Sequence, residues 1–524
     1  MLKISKTKII FISIAVWYAV GNLIWWHINT PIIPFGMSAR HFLDIFTEGY
    51  LFYNAPLMTY IIRFFFLLFG KEHFDLIIIF INYIFFLVPL YFIYKIGAEL
   101  KDKETGNIAM ILFALVPAIY GMSRQYGHQD YHIIAPLVFN IYCLIKTEHF
   151  KNRKWSLIYG ISVGAGLMIK DTFSSYFFPP FVIIFIQSLK KDFKLQDTFN
   201  ILLSIAVASL ISGWHYFRFL IFRKLINEPI TDPGEPVFSF ESLRVMTIGL
   251  WEELLSPPLF FLFLAGLIWF IIKYKNDYKY PILFCILVPW LIIILVPHLK
   301  LIEYIACFTP ITVLISALFL SNIQKGNIKN FLMIFIIIIG LFQYIDFSYG
   351  IDTKLFNAEF NYKNHRITYY NKKNQFIIYY DNKRDSLKIQ IVKYLKENYP
   401  NATVLIKQLR YDVIDDLAFI SWMYLNNLNM VHDDIFNFPS VKNVDIIIDT
   451  PFGPTPDELI ASRINLLCTT FQKTVNDSNK RYLLEQLNFL KEREKEISAE
   501  FKKVKSFSLG NDVKKIVILA RKEI

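Results

Sequence analysis

From Ile9 to Asp346 the chain keeps returning to one pattern, an apolar run followed by a short polar break. The runs fall at about 9–26, 74–94, 107–122, 131–145, 155–169, 174–189, 200–214, 257–272, 280–297, 304–321 and 330–346. Crossing a bilayer's hydrocarbon core takes about 20 helical residues, fewer where the protein thins or breaks the span. Lipid accepts only helices or closed barrels, because every backbone polar group must be paired internally. The pattern therefore predicts a polytopic α-helical membrane protein of about 11 transmembrane helices. Over 524 residues, 55% are hydrophobic and 17% aromatic, and this apolar content is spread across the first two thirds, which a soluble domain cannot bury.

The formal net charge of +12 suggests nucleic acid until the charges are placed. Lys3, Lys6, Lys8, Lys95, Lys101, Lys103, Lys146, Lys151, Arg153 and Lys154 fall in alternate short breaks. Lys190, Lys191, Lys194, Lys273, Lys275, Lys279, Lys325 and Lys329 continue the series. The shortest breaks on the other side hold one basic residue each, Arg124, Lys170 and Lys300. The positive-inside rule then puts the N-terminus in the cytoplasm of a plasma-membrane protein and, with an odd number of spans, the C-terminus outside. No nucleic-acid partner is implied. Cys143, Cys285 and Cys307 lie in apolar runs and Cys468 stands alone in the polar tail, so no disulfide framework is expected. The first run lacks a small-residue cleavage site and reads as a retained helix.

Two domains follow: a membrane domain over 1–346, with long outer loops at 27–73 and 215–256, and an extracytoplasmic α/β domain over 347–524. In the second, helical periodicity at 386–398 and 413–426 alternates with strand patterns at 402–406 and 444–449. Two longer helical patterns, 456–471 and 479–501, precede a closing hairpin of 504–509 and 513–520.

The unusual polar groups gather on one side of this topology. His41, Asp44 and Glu48 fall in the first outer loop, and if 42–48 is helical the two acids share a face. Arg124, His128, Asp130 and His132 fall in the next outer connection, then Lys170-Asp171. His215, Arg218, Arg223, Lys224 and Arg244 occupy the long fourth loop, and His298, Lys300, Glu303 and Tyr304 the turn after span nine. Acids at a membrane surface suit a divalent cation or proton transfer, while bases suit a phosphate at headgroup depth. Each has a plainer reading: a solvated loop, a hydrogen-bonded histidine, a lysine snorkelling to the interface. The tail acids Asp433, Asp434, Asp445 and Asp449 read as solvated.

In order, several stretches resemble the GT-C glycosyltransferases over about residues 9–321. The first loop runs into Asn54-Ala55-Pro56-Leu57 and Leu67-Leu68-Phe69-Gly70, similar to a His-Pro-Pro-Leu step and a terminal Leu-Phe-Gly. Gln129-Asp130 opens span four, and Gly160, Gly164, Gly166 and Lys170 resemble a glycine-rich helix ending in lysine. Val296-Pro297-His298-Leu299-Lys300, Glu303-Tyr304 and Pro310 resemble its late lysine, arginine-tyrosine and proline pattern, with Glu303 where arginine is usual. The register of the family's acidic pair falls on Gly36-Met37. The likeness is greatest to the dolichyl-phosphate-mannose–protein mannosyltransferase group (glycosyltransferase family 39-like) and its aminoarabinose-transferase relatives.

That resemblance implies sugar transfer from a polyprenyl-phosphate donor to a glycan, lipid or protein acceptor at the outer face, with inversion. It implies Asp44, with Glu48, and Asp130 as the catalytic acids. Lys170, His215, Arg218, His298, Lys300 and Tyr304 become the lipid-phosphate ligands. A divalent metal ion is the one cofactor in view, with Asp44, Asp130 and His128 as its donors. Two rivals remain. A transporter would place ionisable groups in mid-span on paired broken helices, whereas here they stand at span ends. A non-catalytic membrane scaffold would leave the loop charges idle.

Overall fold

The computed structural model describes residues 5–29, 55–70, 73–124, 129–190, 193–226, 247–295, 302–324 and 326–349 of the membrane part. Beyond these it describes 356, 359–362, 365–369, 382–406, 428–432, 444–449, 492, 495, 497–509 and 514–522. The chain forms two compact units.

The helices of the membrane unit are α1 Lys6–Asn29, α2 Leu57–Phe69, α3 Phe74–Leu100, α4 Lys103–Ala114, α5 Pro117–Met122, α6 Gln129–His132 and α7 Ile134–Lys146. They continue with α8 Arg153–Leu167, α9 Phe173–Leu189, α10 Leu195–Ile226, α11 Pro257–Lys273, α12 Lys279–Leu295, α13 Thr309–Ser321 and α14 Gly326–Tyr349. Over its described residues each expected span is mainly helical. Four helical stretches, Lys6–Ile28, Phe74–Leu100, Leu195–Arg218 and Gly326–Tyr349, are long and apolar enough to cross a membrane. Large apolar side chains on their outer faces, such as Ile12, Val16, Phe80, Phe331 and Ile334, are exposed and meet lipid rather than water.

Some spans are broken rather than continuous. The expected 107–122 span divides at Leu115-Val116, because Pro117 has no N–H and starts a new helix. Two other spans begin as short separate turns, α6 before Ile133 and a 3-10 segment, Ile302–Phe308, before α13. A π-helical turn, Leu250–Leu255, leads into α11 through Ser256, whose φ of 67° is left-handed.

Helices α8 and α10 pack along a seam of small residues. A Cβ on Gly160 would lie 2.4 Å from the Ser204 carbonyl oxygen, and one on Gly164 2.7 Å from the Ile211 Cβ. The glycines therefore permit backbone approach between helices. Polar side chains fasten the seam: Ser204 Oγ donates to the Ser156 carbonyl at 2.7 Å, and Asn200 Nδ2 to the Phe150 carbonyl at 2.8 Å. The α7–α8 turn contains three consecutive left-handed residues, Glu148, His149 and Phe150, with φ of 51°, 61° and 65°. Ser188 Oγ secures it by donating to the His149 carbonyl at 3.2 Å.

Beyond the expected boundary at 346/347, the membrane unit includes a hairpin of β1 Glu359–Tyr362 and β2 His365–Thr368. Residues after α14 are tied back to it: Gln343 Nε2 donates to the Tyr369 hydroxyl at 2.8 Å, and Trp251 Nε1 to the Tyr369 carbonyl at 3.2 Å. Phe356 also packs edge-on against Phe347. Polar composition after Phe347 marks the end of the apolar spans.

The second unit contains α15 Asn382–Asn398 and strands β3 Thr403–Ile406, β4 Asn429–His432, β5 Ile446–Asp449, β6 Phe501–Leu509 and β7 Lys514–Arg521. The sheet order is β4-β3-β5-β7-β6; β3 runs parallel to β4 and β5, and β7 antiparallel to β5 and β6. Leu405, Val444, Ile447, Ile497 and Phe501 form its buried core. Asp445 takes a structural role, its Oδ2 accepting from the Thr403 N–H at 2.8 Å. The closing hairpin and the 402–406 and 444–449 strands match the sequence reading, whereas β4 and the β1–β2 hairpin had no clear alternation to announce them. The helical patterns at 413–426 and 456–471, most of 479–501, and Cys468, Asp433 and Asp434 lie outside the described residues.

Candidate active site

The C-terminal end of α8 is the anchor. A helix leaves its last carbonyls without intrahelical donors. Here the Leu167 carbonyl accepts from the Tyr216 hydroxyl of α10 at 3.0 Å, and the Met168 carbonyl from the Leu57 N–H of α2 at 2.9 Å. The Asn54-Ala55-Pro56-Leu57 step and the glycine-rich helix, remote in sequence, thus meet through one backbone bond. Gly70, with φ 82°, ends α2 in a conformation that side chains rarely adopt and donates its N–H to the Phe66 carbonyl.

The α8 end presents Lys170, whose Nζ donates to Asp130 Oδ2 on α6 at 2.5 Å. The two side chains are 13% and 5% exposed, so both charges are largely withdrawn from water and compensate each other. Cys307 Sγ on the 3-10 segment donates to the Asp130 carbonyl at 3.6 Å, which sets that segment, carrying Tyr304, against α6. His215 is buried on α10, and the charges acting on it are Asp171 and Arg218. Arg218, one turn further along α10, is exposed.

Of the residues singled out from sequence, Asp130 and Lys170 are brought together, with His215 and Arg218 on the helix whose Tyr216 caps α8. Asp44, Glu48, His128, His298 and Lys300 lie outside the described residues, as does the side chain of Tyr304. Among the described residues no three His, Cys, Asp or Glu side chains gather as a metal-binding group. Asp130 Oδ2 faces the Lys170 ammonium group, and the other two expected metal donors, Asp44 and His128, lie outside the described residues.

A second polar cluster was not foreseen. Arg124 is buried, its Nε donating to Asn22 Oδ1 on α1 at 3.1 Å and its Nη2 to the Tyr344 hydroxyl on α14 at 3.0 Å. Trp25, Tyr120 and Tyr344 surround the guanidinium at 5.4, 5.8 and 5.3 Å to their ring centroids. Arg124 counted in the sequence only as an outer-face charge; nothing local announces that it binds α1 to α14. Two acids that sequence reasoning passed over, Glu252 on the π-helical turn and Asp346 on α14, are also buried. The adjacent pair Glu252-Glu253 immediately before an apolar span was the available signal.

Comparison with known proteins gives this arrangement a context. Residues 53–217 match the family model of dolichyl-phosphate-mannose-protein mannosyltransferase. The match takes in Asp130, Lys170 and His215, and begins after Asp44 and Glu48. No curated protein sequence matches the chain. Among solved structures, ArnT from Cupriavidus metallidurans bound to undecaprenyl phosphate superimposes with a TM-score of 0.56 at 9% identity, covering 96% of this chain and 97% of that one. The Archaeoglobus fulgidus oligosaccharyltransferase in its apo form gives 0.51 at 12% identity, over 85% of this chain and 70% of that one. AglB from Archaeoglobus fulgidus, in complex with an inhibitory peptide and a dolichol-phosphate, gives 0.50 at 10% identity over 88% and 71%. At such identities the likeness is one of fold.

Proposed function

We propose, from the premise that the chain belongs by fold to the GT-C membrane glycosyltransferases, that it moves a sugar from a polyprenyl-phosphate donor to an acceptor at the outer face. The observation that carries this reading is the Lys170–Asp130 pair at 2.5 Å, inside the family-matched segment and at the ends of helices rather than in mid-span. The solved relatives bound to undecaprenyl phosphate and dolichol-phosphate support a lipid-phosphate donor.

In the reaction the acceptor hydroxyl attacks the anomeric carbon as the bond from that carbon to the phosphate oxygen breaks. The electron pair leaves with the phosphate, and the acceptor's proton passes to a carboxylate. Attack opposite the leaving group inverts the anomeric centre. Asp130 is the proton acceptor in this reading, with Asp44 and Glu48 as partners from the first loop. Lys170 holds the Asp130 carboxylate by an ion pair and, with His215 and Arg218, offers positive charge to the departing phosphate. Donors fixed before the reaction stabilise such charge best. His298, Lys300 and Tyr304 join them from the late loop. No step runs through a metal ion.

The test is release of polyprenyl phosphate from a polyprenyl-phosphate sugar by the purified protein in nanodiscs, with inversion read by NMR of the product. Absence of turnover with hexose and pentose donors refutes the reading. The basic clusters support a cytoplasmic N-terminus and an outside tail under the positive-inside rule. A cysteine at Lys151 should therefore resist an impermeant thiol reagent in intact cells while one in the 347–524 tail reacts. The reverse pattern overturns the orientation.

A further inference from the structure

Asn82 lies inside α3, between Ile81 and Tyr83, and is 1% exposed. Its bonds converge on a single connection. Nδ2 donates to the Ser123 carbonyl at 2.9 Å, Oδ1 lies 2.8 Å from His132 Nε2, and the backbone carbonyl accepts from the Tyr131 hydroxyl at 2.9 Å. Because Nδ2 is committed to a carbonyl, Oδ1 is the acceptor and His132 donates from Nε2. Phe85 packs edge-on against the same imidazole, 4.8 Å between ring centroids, and holds its plane.

A buried asparagine in an apolar helix ordinarily joins that helix to a neighbouring one. Here one residue grips both ends of the connection Ser123–His132, at Ser123 and again at Tyr131 and His132. Asp130 immediately precedes the second grip. Arg124, next to the first, is fixed to α1 and α14 by its own bonds. The span from Ser123 to His132 is therefore held at both ends, and its catalytic candidate projects to Lys170.

We infer that Asn82 is a positioning residue for the Asp130 carboxylate, acting through its bonds to the α6 turn. This rests on Asp130 serving as the proton acceptor of the transfer proposed above. A side chain acting at this distance should alter the chemical step more than donor binding, since misplacing a base by a fraction of an ångström costs turnover first.

The experiment uses full-length protein in nanodiscs with Asn82→Leu, which keeps size and burial but loses both side-chain bonds. With a polyprenyl-phosphate hexose as probe, kcat should fall about tenfold or more while donor KM stays within about twofold. Amide hydrogen exchange at 129–133 should accelerate about tenfold or more, while exchange across 153–167 stays at the wild-type rate. His132→Gln, whose amide still donates to Asn82 Oδ1, should keep at least about half of kcat, and His132→Leu should not. Retained kcat in Asn82→Leu, loss of kcat with unchanged exchange at 129–133, or acceleration across every helix overturns the inference. If the wild-type protein turns over no donor, the transferase reading fails instead; unchanged exchange in Asn82→Leu then still overturns the grip on α6.

Discussion

Two regions of the membrane unit hold their helix ends in opposite ways. At the α8–α10 seam, Gly160 and Gly164 let backbones approach until a single methyl would collide with a carbonyl oxygen or a Cβ. At the α1–α5–α14 corner, the long side chain of Arg124 spans the gap and is held by two hydrogen bonds and three rings. The first fixes distance and tolerates no added volume; the second fixes charge and direction and tolerates small shifts. Lys170 stands at the end of the seam, so the region with the tighter distance constraint carries the ion pair. The difference shows what each side needs: a position held to fractions of an ångström in one case, a joined set of helices in the other.

The sharpest break should come at the ion pair. Asp130→Asn and Lys170→Met should each lower turnover about 10²-fold or more, since each removes a proton acceptor or its counter-charge. Each should also cost about 3–5 kcal/mol of stability by leaving the other charge buried alone. The double variant should cost less than the two added together, which thermal melts in nanodiscs would show. Single variants melting like the wild type would mean that the charges do not depend on each other.

Next comes the aromatic corner. Arg124→Leu should cost about 2–3 kcal/mol, from charged hydrogen bonds to Asn22 and Tyr344. Arg124→Lys should recover less than half of that, because an ammonium cannot reproduce the planar fork. Donor KM should hardly move, and a large KM change would show the corner to be part of the donor site.

At the seam, Gly160→Ala should cost about 1–3 kcal/mol through overpacking. Gly213→Ala, on the same α10 but with nothing nearer than 3.9 Å to the new Cβ, should be neutral or stabilising by about 0.5–1 kcal/mol. Equal effects at both glycines would remove the contrast. A small effect is also expected at Asp102, which belongs to neither region. Burial pushes its carboxyl up, but the Thr105 N–H and hydroxyl and the Lys101 charge outweigh this and hold it below the ordinary range. Its contribution is therefore present above the unfolded pKa and fades as pH falls through the lowered folded value. Asp102→Ala should cost about 1 kcal/mol as a lost helix cap, and that cost should shrink in acid.

How much of this was legible depended on range. Helical spans were legible because lipid demands an apolar run of fixed length, so over its described residues every expected span is mainly helical. The breaks at Pro117 and Ile133 were harder, since Pro89 and Pro289 sit inside continuous helices and proline alone does not decide. The glycines of YGISVGAGLMIKDT were visible, but their partner helix was not. Asp130 and Lys170 stood out as charges beside apolar runs, yet nothing local stated that they pair. Asn82 and Arg124 were invisible as organisers because their partners lie 41 to 220 residues away. Tyr369 returns to the membrane helices through hydrogen bonds that no hydropathy profile records.

The turn of Glu148, His149 and Phe150 has a consequence for how this chain can vary. Left-handed backbone costs an ordinary residue about 1–2 kcal/mol, and glycine almost nothing. Three such residues in a row reverse the usual ranking of substitutions. Glycine, disruptive in the flanking helices, should be accepted at Glu148, where it relieves the backbone, while the buried His149 ring stacks on Tyr278. Valine or isoleucine, welcome almost anywhere else in this apolar unit, should be rejected there. Phe150 is barred from the exchange by its ring, which packs between Tyr159 and Phe181. Sequence drift at this turn should therefore run toward small, flexible residues at its first position while the third stays aromatic.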